Sequence, residues 1–248
     1  NPYEWLSDRG YVFETMRRGG LGDIDVDLFY EHHFNDKWIG ELFVGVRFPT
    51  GGSTHFYGNP YRVHLGNGDH WEARFGGLLA WQPLSWMNAK LDAYYSFALQ
   101  STEKRMAAFR GAEIKNMGPR ADADVDWSYF LGKLDFTFFH PKTKDLSSTI
   151  GYEFYYKTRD SVSYKQSQMQ SFAGGILNSA GTGFDANNKY LDNQVAERNT
   201  ESIAHKVRVE GSYRLCEWLE AYAGGSYTFA GQNIGRESML YAGCLTKF

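Results

Sequence analysis

From Leu21 to the last residue the sequence alternates with a period of two, in segment after segment. Successive side chains of a β-strand point to opposite faces, so each such segment has two faces of different chemistry. Ile24, Val26, Leu28 and Tyr30 alternate with Asp23, Asp25, Asp27, Phe29 and Glu31. Trp38, Gly40, Leu42, Val44, Val46 and Phe48 alternate with Glu41, Phe43, Gly45 and Arg47. Trp71, Ala73, Phe75, Gly77, Leu79 and Trp81 oppose Glu72 and Arg74. The strictest run is Met87, Ala89, Leu91, Ala93, Tyr95, Phe97 and Leu99, set against Asn88, Lys90, Asp92, Tyr94 and Ser96. Ala123, Val125, Trp127, Tyr129 and Leu131 then oppose Asp122, Asp124 and Asp126. A slip of phase near Gly132, read as a β-bulge, carries the apolar face on to Leu134, Phe136 and Phe138. Ile150, Tyr152, Phe154 and Tyr156 oppose Glu153, Tyr155 and Lys157, and Ile203, Val207, Val209, Gly211 and Tyr213 oppose Lys206, Arg208, Glu210, Ser212 and Arg214. A last hairpin runs from Trp218 to Phe248. This makes nine strands from Leu21.

The connections alternate as well. Short turns follow Phe34, Trp81, His140 and Leu215, while 49–70, 100–120 and 159–200 are long and rich in Gly, Asn, Ser and Gln. A soluble sandwich has no reason to sort its loops by end, whereas a membrane-spanning barrel does. An acidic face on strands this long cannot sit in a hydrophobic core; it faces water or an ion-paired interior. A mean hydropathy of −0.50 fits such a polar interior with polar loops. No run approaches 18 apolar residues, which excludes a transmembrane helix. The net charge of −3 and scattered basic residues give no footprint for nucleic acid. Asn1 begins no secretory signal peptide. Cys216 and Cys244 are expected to be free thiols, too far apart in hairpin register to bridge.

The final strand, with Leu240, Ala242 and Cys244 at alternate positions before a terminal Phe248, resembles the closing strand of bacterial outer-membrane β-barrel proteins. Gly45-Val46-Arg47-Phe48-Pro49-Thr50-Gly51 resembles a strand-to-loop junction of some outer-membrane solute transporters. The resemblance covers 21–248 and rests on pattern rather than on a residue motif. It implies an all-β fold, a membrane-spanning antiparallel up-and-down β-barrel with short periplasmic turns and long extracellular loops in the bacterial outer membrane. It also implies an even strand number: ten, with a first strand within residues 1–20 (Tyr11 to Arg18), or twelve or more if the chain continues upstream. Implied partners are outer-membrane lipid, the barrel-assembly machinery acting on Leu240, Ala242, Cys244 and Phe248, and a homo-oligomer.

The inward faces then hold the candidate functional residues. The acids are Asp23, Asp25, Asp27, Glu41, Glu72, Asp92, Asp122, Asp124, Asp126, Glu153 and Glu210, and the bases Arg47, Arg74, Lys90, Lys206 and Arg208. Lumen charges of opposite sign tune ion selectivity, so one reading is a narrow, slightly acidic channel for small hydrophilic solutes or ions. The other is that these groups pair off and fill the interior, leaving a structural or adhesive barrel that acts through its loops. The two Asp-x-Asp-x-Asp runs form an acidic mouth; alternate strand residues lie about 7 Å apart, which does not make a Ca²⁺ loop. His32 and His33 point to opposite faces, and His55, His64 and His70 share one loop without a metal-ligand spacing. No nucleophile motif is present, so neither an enzymatic site nor a cofactor is expected.

Overall fold

The computed structural model describes residues 4, 20–51, 66–106, 120–143, 145–165, 176–177, 184–185 and 192–246. In chain order these form β1 (Ile24–Asn35), β2 (Trp38–Phe48), β3 (Glu72–Leu84), β4 (Met87–Met106), β5 (Arg120–Phe139), β6 (Leu146–Lys157) and β7 (Ser161–Tyr164). After them come β8 (Ile176–Leu177), β9 (Phe184–Asp185), a short helix α1 (Asn193–Glu197), β10 (Ser202–Cys216), β11 (Leu219–Gln232) and β12 (Ser238–Thr246). One antiparallel up-and-down sheet follows the order β1-β2-β3-β4-β5-β6-β10-β11-β12, and β7 pairs with β5 as its tenth strand. β8 and β9 form a separate two-stranded ladder.

The all-β up-and-down architecture agrees with the alternation. Among the described residues no ladder joins β1 to β12, so these are the two edges of the sheet. The path between them holds an odd number of antiparallel strands, so β1 and β12 run in the same direction. The proposed first strand at Tyr11 to Arg18 lies outside the described residues, as does Phe248. Connections are short at one end of the sheet and long at the other, but the long one expected over 100–120 is confined to 107–119. There β4 and β5 continue the ladder, with Lys104 opposite Asp122 and Met106 opposite Arg120. The connection over 159–200 contains β7, β8, β9 and α1.

Cross-strand partners share a face, so the register carries the two faces across the sheet. One row reads Leu79, Leu91, Leu134, Tyr152, Val207, Tyr227, and the second row above it Val44, Phe75, Tyr95, Phe130, Tyr156, Ile203. This apolar face is open to the surroundings: Leu28 is 75% exposed, Leu42 69% and Val209 56%. From Phe97 down to Met87 it runs ten residue steps along β4. At roughly 3.4 Å per residue and a tilt of about 40°, that is about 26 Å of height, matching the apolar band of a strand-spanned bilayer. Aromatic pairs mark its limits: Phe48–Trp71 (4.9 Å between ring centroids) at the long-connection end, Trp38–Trp81 (5.3 Å) and Trp86–Phe138 (6.3 Å) at the other.

β5 corrects the sequence reading. It has no slip near Gly132: Leu131, Gly132, Lys133, Leu134 and Asp135 pair in unbroken register with Tyr94, Ala93, Asp92, Leu91 and Lys90. The irregularity lies on β4, between Ala98 and Ser101, where one extra residue faces the Trp127–Val125 step. The Leu99 N–H donates to the Trp71 carbonyl (2.7 Å) and the Leu99 carbonyl accepts from His70 Nδ1 (2.8 Å), so both edges of the bulge are held. Strict alternation along β5 therefore puts Ala121, Ala123 and Val125 on the same face as Tyr129 and Glu72. There Val162 and Tyr164 of β7, with Val195 and Ala196 of α1, pack against them. Asp122, Asp124 and Asp126 stand on the opposite face, above the apolar band, and not on the polar inner face.

If the apolar band spans a bilayer, an arginine in its middle sits at the midplane. Leu91→Arg is expected to cost about 2–4 kcal/mol in urea unfolding from lipid vesicles, whereas Ser163→Arg, on the same face beyond the band, should change stability by about 1 kcal/mol or less.

Candidate functional site

The polar face divides into a tightly paired half on β1–β6 and an open groove on β5, β6, β10, β11 and β12. In the paired half, Arg47 donates through Nε and Nη2 to the two carboxylate oxygens of Asp25 (2.7 and 3.0 Å). Such a two-pronged pairing fixes both position and plane. Arg74 spans β2 to reach Asp25 (2.8 Å) and Asp27 (2.7 Å) on β1. It can do so because Gly45 stands between them in register, and a Cβ there would collide with the Asp27 carboxylate.

Glu72 is the most buried acid among the described residues, 2% exposed. Its carboxylate accepts from Asn67 Nδ2 (2.7 Å), Ser96 Oγ (2.7 Å) and the Tyr129 hydroxyl (2.8 Å), with Arg47 Nη1 at 3.5 Å. A buried carboxylate requires this many donors, because its desolvation otherwise exceeds what one distant cation returns. Tyr94 packs edge-on against Tyr129 (6.0 Å) and under Arg74 (6.0 Å).

Toward the long connections, six side chains close a ring. His70 Nε2 meets Glu103 (2.9 Å), Glu103 accepts from Arg105 Nε (2.7 Å), and Arg105 pairs with Asp160 (3.0 Å). Asp160 pairs with Lys157, whose ammonium stands 5.0 Å over the Trp127 ring, and Trp127 packs at 4.2 Å on His70. The ring fastens the start of β3, the end of β4, the middle of β5 and the segment leading into β7. Asp23 acts as a clasp on the neighbouring connection, accepting from the Gly51 (2.9 Å) and Asn67 (2.7 Å) backbone N–H groups. It is therefore bound to backbone rather than presented to the interior.

The groove is a cavity of ≈ 670 Å³. Register lays Lys133, Glu153 and Lys206 in one row and Asp135, Gly151 and Arg208 in the next. Glu153 lies 3.9 Å from each lysine. Arg208 donates to Asp135 (2.7 Å) across β6, through the space that Gly151 leaves free, and stands 3.8 Å from Glu210. Lys206 also reaches Glu237 (3.0 Å), and Tyr241 donates to Glu210 (3.0 Å). Ser212 donates to Glu220 (2.6 Å), and Tyr222 and Tyr241 form the remaining wall. Each tyrosine fills the space over the glycine directly opposite it, Tyr241 over Gly224 and Tyr222 over Gly243. Glu41 and Asp92 line a smaller hollow of ≈ 220 Å³ beside Asp27 and Phe43, and Lys90 stands opposite Asp135.

The structure thus gathers Asp25, Asp27, Glu41, Arg47, Glu72, Arg74, Lys90, Asp92, Glu153, Lys206, Arg208 and Glu210 on one face. Asp122 pairs with Lys104 (2.6 Å), and Asp124 accepts from Thr102 (2.7 Å), with Lys165 at 3.4 Å, all on the other face. Leu240, Ala242 and Cys244 lie on the apolar face of edge strand β12, opposite Gly225, Ala223 and Ala221, with Leu240 91% exposed. Cys216 and Cys244 are free. Sequence reasoning missed Asp135, Tyr129, His70, Glu103 and Asn67. Unbroken alternation along β5 would have found the first two; the others depend on where connections return, which no periodicity encodes.

No family model matches the chain, and a search of curated proteins finds no match. Among solved structures, the siderophore receptor PirA from Acinetobacter baumannii aligns with 91% of this chain at 13% identity and a TM-score of 0.42. The alignment covers 31% of that receptor, so the chain spans about a third of its length.

Removing the Glu72 carboxylate leaves buried donors on Asn67, Ser96 and Tyr129 without an acceptor. Glu72→Ala is expected to lower stability by about 3–5 kcal/mol and Tyr129→Phe by about 1–2 kcal/mol, read from urea unfolding midpoints.

Proposed function

We propose that this chain forms a membrane-spanning β-barrel of the bacterial outer membrane that passes small hydrophilic solutes or ions. Their route is the groove lined by Lys133, Asp135, Glu153, Lys206, Arg208, Glu210, Ser212, Tyr222 and Tyr241. The observation that carries this reading is the contrast between the two halves of the polar face. Ion pairs fill the β1–β6 half, while the groove keeps ≈ 670 Å³ of open volume beside charged side chains. Among the lining residues Asp135, Glu153, Glu210 and Glu220 outnumber Lys133, Lys206 and Arg208. A groove with this balance favours cations mildly, and its opposed charges act as a filter rather than a barrier.

Closure of the sheet belongs to the same reading. Since β1 and β12 run in one direction, a single further strand antiparallel to both, or any odd number, joins them into an even-stranded barrel. The short connections then face the periplasm and the long ones the exterior. The Glu72 network and the six-membered ring favour a second reading, a rigid barrel that displays its long connections to a partner, because they make that half of the interior a solid wall.

Single-channel recording in planar bilayers separates the two. The refolded, heat-modifiable protein is expected to give discrete current steps whose reversal potential in a salt gradient favours cations. Arg208→Glu should raise the cation preference, and Asp135→Lys should lower or invert it. Silence from folded protein sinks the channel and leaves the long connections as the place of function.

A further inference from the structure

One row of the polar face carries no charge. In register it holds Phe29, Phe43, Tyr94, Leu131 and Tyr155 on β1, β2, β4, β5 and β6. Its other members are small: Gly76 on β3, Ala204 on β10 and Gly231 on β11. The rows on either side of it are charged, with Asp27, Arg74 and Lys157 toward the long connections and Asp92, Glu153 and Lys206 toward the short ones. The row runs from β1 to β11 without a break. A solute travelling along this face from one end of the sheet to the other therefore crosses it on whichever of these strands it follows.

Large side chains close most of the row. Phe43 lies over Gly76, where a Cβ would meet its Cε1 at 2.8 Å, and its ring stands 6.3 Å from that of Tyr94. Tyr94 packs on Tyr129 (6.0 Å) and Tyr129 on Tyr155 (5.8 Å), so aromatic contacts run from β2 to β6. In line with the groove stand the small residues Ala204 and Gly231, and there the β11–β12 connection supplies the missing bulk. A Cβ on Gly231 would meet Ile234 Cγ2 at 2.7 Å, and Ala204 is 1% exposed. Asn233 latches this connection to the start of β10. It takes the left-handed backbone (φ 53°) that asparagine tolerates, its Nδ2 donates to the Glu201 carbonyl (2.9 Å), and its own carbonyl accepts from Ser202 Oγ (3.2 Å).

We infer that Ile234 completes an uncharged collar across the route and acts as its gate. The groove is then a vestibule open toward the short connections, and passage beyond it requires Ile234 to lift from Gly231. Uncharged side chains offer an ion nothing to replace its hydration shell, so a narrow constriction lined by them stays closed to ions and charged solutes until it widens. Groove charges select what collects below the collar, and the collar decides what goes on. The inference rests on the membrane-spanning route proposed above, and thiol labelling separates its failure from the failure of conduction.

The test places Ser226→Cys, in the groove, in a Cys216→Ser, Cys244→Ser background and in vesicles of uniform orientation. A charged, membrane-impermeant thiol reagent is supplied from one side or the other, and each variant is first shown to be folded by its heat-modifiable mobility. Reaction is expected to be several-fold faster from the short-connection side. Ile234→Ser should raise the rate from the long-connection side and leave the other rate unchanged. Asn233→Gly, which keeps the left-handed backbone and loses only the amide hydrogen bond, should do the same. In planar bilayers both variants should enlarge the current steps without moving the reversal potential, since no groove charge has changed. Asp145→Asn, in a short turn at the other end of the sheet, should alter neither readout. Equal rates from the two sides with the collar intact, or a long-side rate indifferent to both variants, overturns the gate. A silent bilayer beside a long-side rate that responds to both variants supports the gate and overturns conduction.

Discussion

Everything in this sheet depends on the period-two pleat holding two incompatible surroundings apart. A spanning strand must satisfy its backbone N–H and C=O groups laterally, because hydrocarbon offers them no partner. Once the ladder does so, alternate side chains are free to suit opposite media. Among the described residues the buried apolar ones are few and mostly small: Ala98, Ala121, Ala123, Val125, Tyr129, Val162, Tyr164 and Ala204. Large apolar side chains instead stand exposed on every strand of the main path, from Leu28 on β1 to Leu240 on β12. In water such a sheet would lack the burial that offsets chain entropy. On the proposed membrane-spanning reading, the hydrocarbon of a bilayer supplies that burial from outside.

The polar face solves a different problem. Its charges come from strands only about 5 Å apart, so long side chains must cross their neighbours without colliding. Glycines at 45 and 151 clear those crossings, one for Arg74 to Asp27 and one for Arg208 to Asp135. The consequences differ between the halves. Around Glu72 the crossings converge into a buried, saturated network whose members hold one another in place. Around Arg208 the pairs stay at the wall, and the volume between them remains open. The same two residue types, charge and glycine, thus build a wall on one side and a groove on the other.

The alternation was legible almost throughout: the nine strands of the main path, their direction and the sorting of short and long connections follow from it, whereas β7 does not. It failed on β5, for a reason visible in the structure. Ala121, Ala123 and Val125 are apolar because side chains of the neighbouring β7 and of α1 pack against them, not because they face lipid. Reading apolar as outward therefore reversed Asp122, Asp124 and Asp126, and a compensating slip at Gly132 hid Asp135. The true irregularity, at Leu99 and Gln100, leaves no mark in the pattern of β4, since Leu99 extends the apolar alternation by one plausible step. The ring through His70, Glu103 and Asp160 was equally hidden. Its members lie at chain separations that only the folded connections bring together.

The central claim is that one face of the sheet meets lipid and the other meets water. Cysteines placed singly along Asn88 to Phe97 in a Cys216→Ser, Cys244→Ser background, in vesicles, and probed with a membrane-impermeant thiol reagent, test it most directly. Positions 88, 90 and 92 should react and 89, 91, 93, 95 and 97 should be protected, while 94 and 96 stay unreactive because they pack inside the Glu72 network. Equal reactivity of both sets would contradict the account, because a sheet with water on both faces has no lipid side to protect.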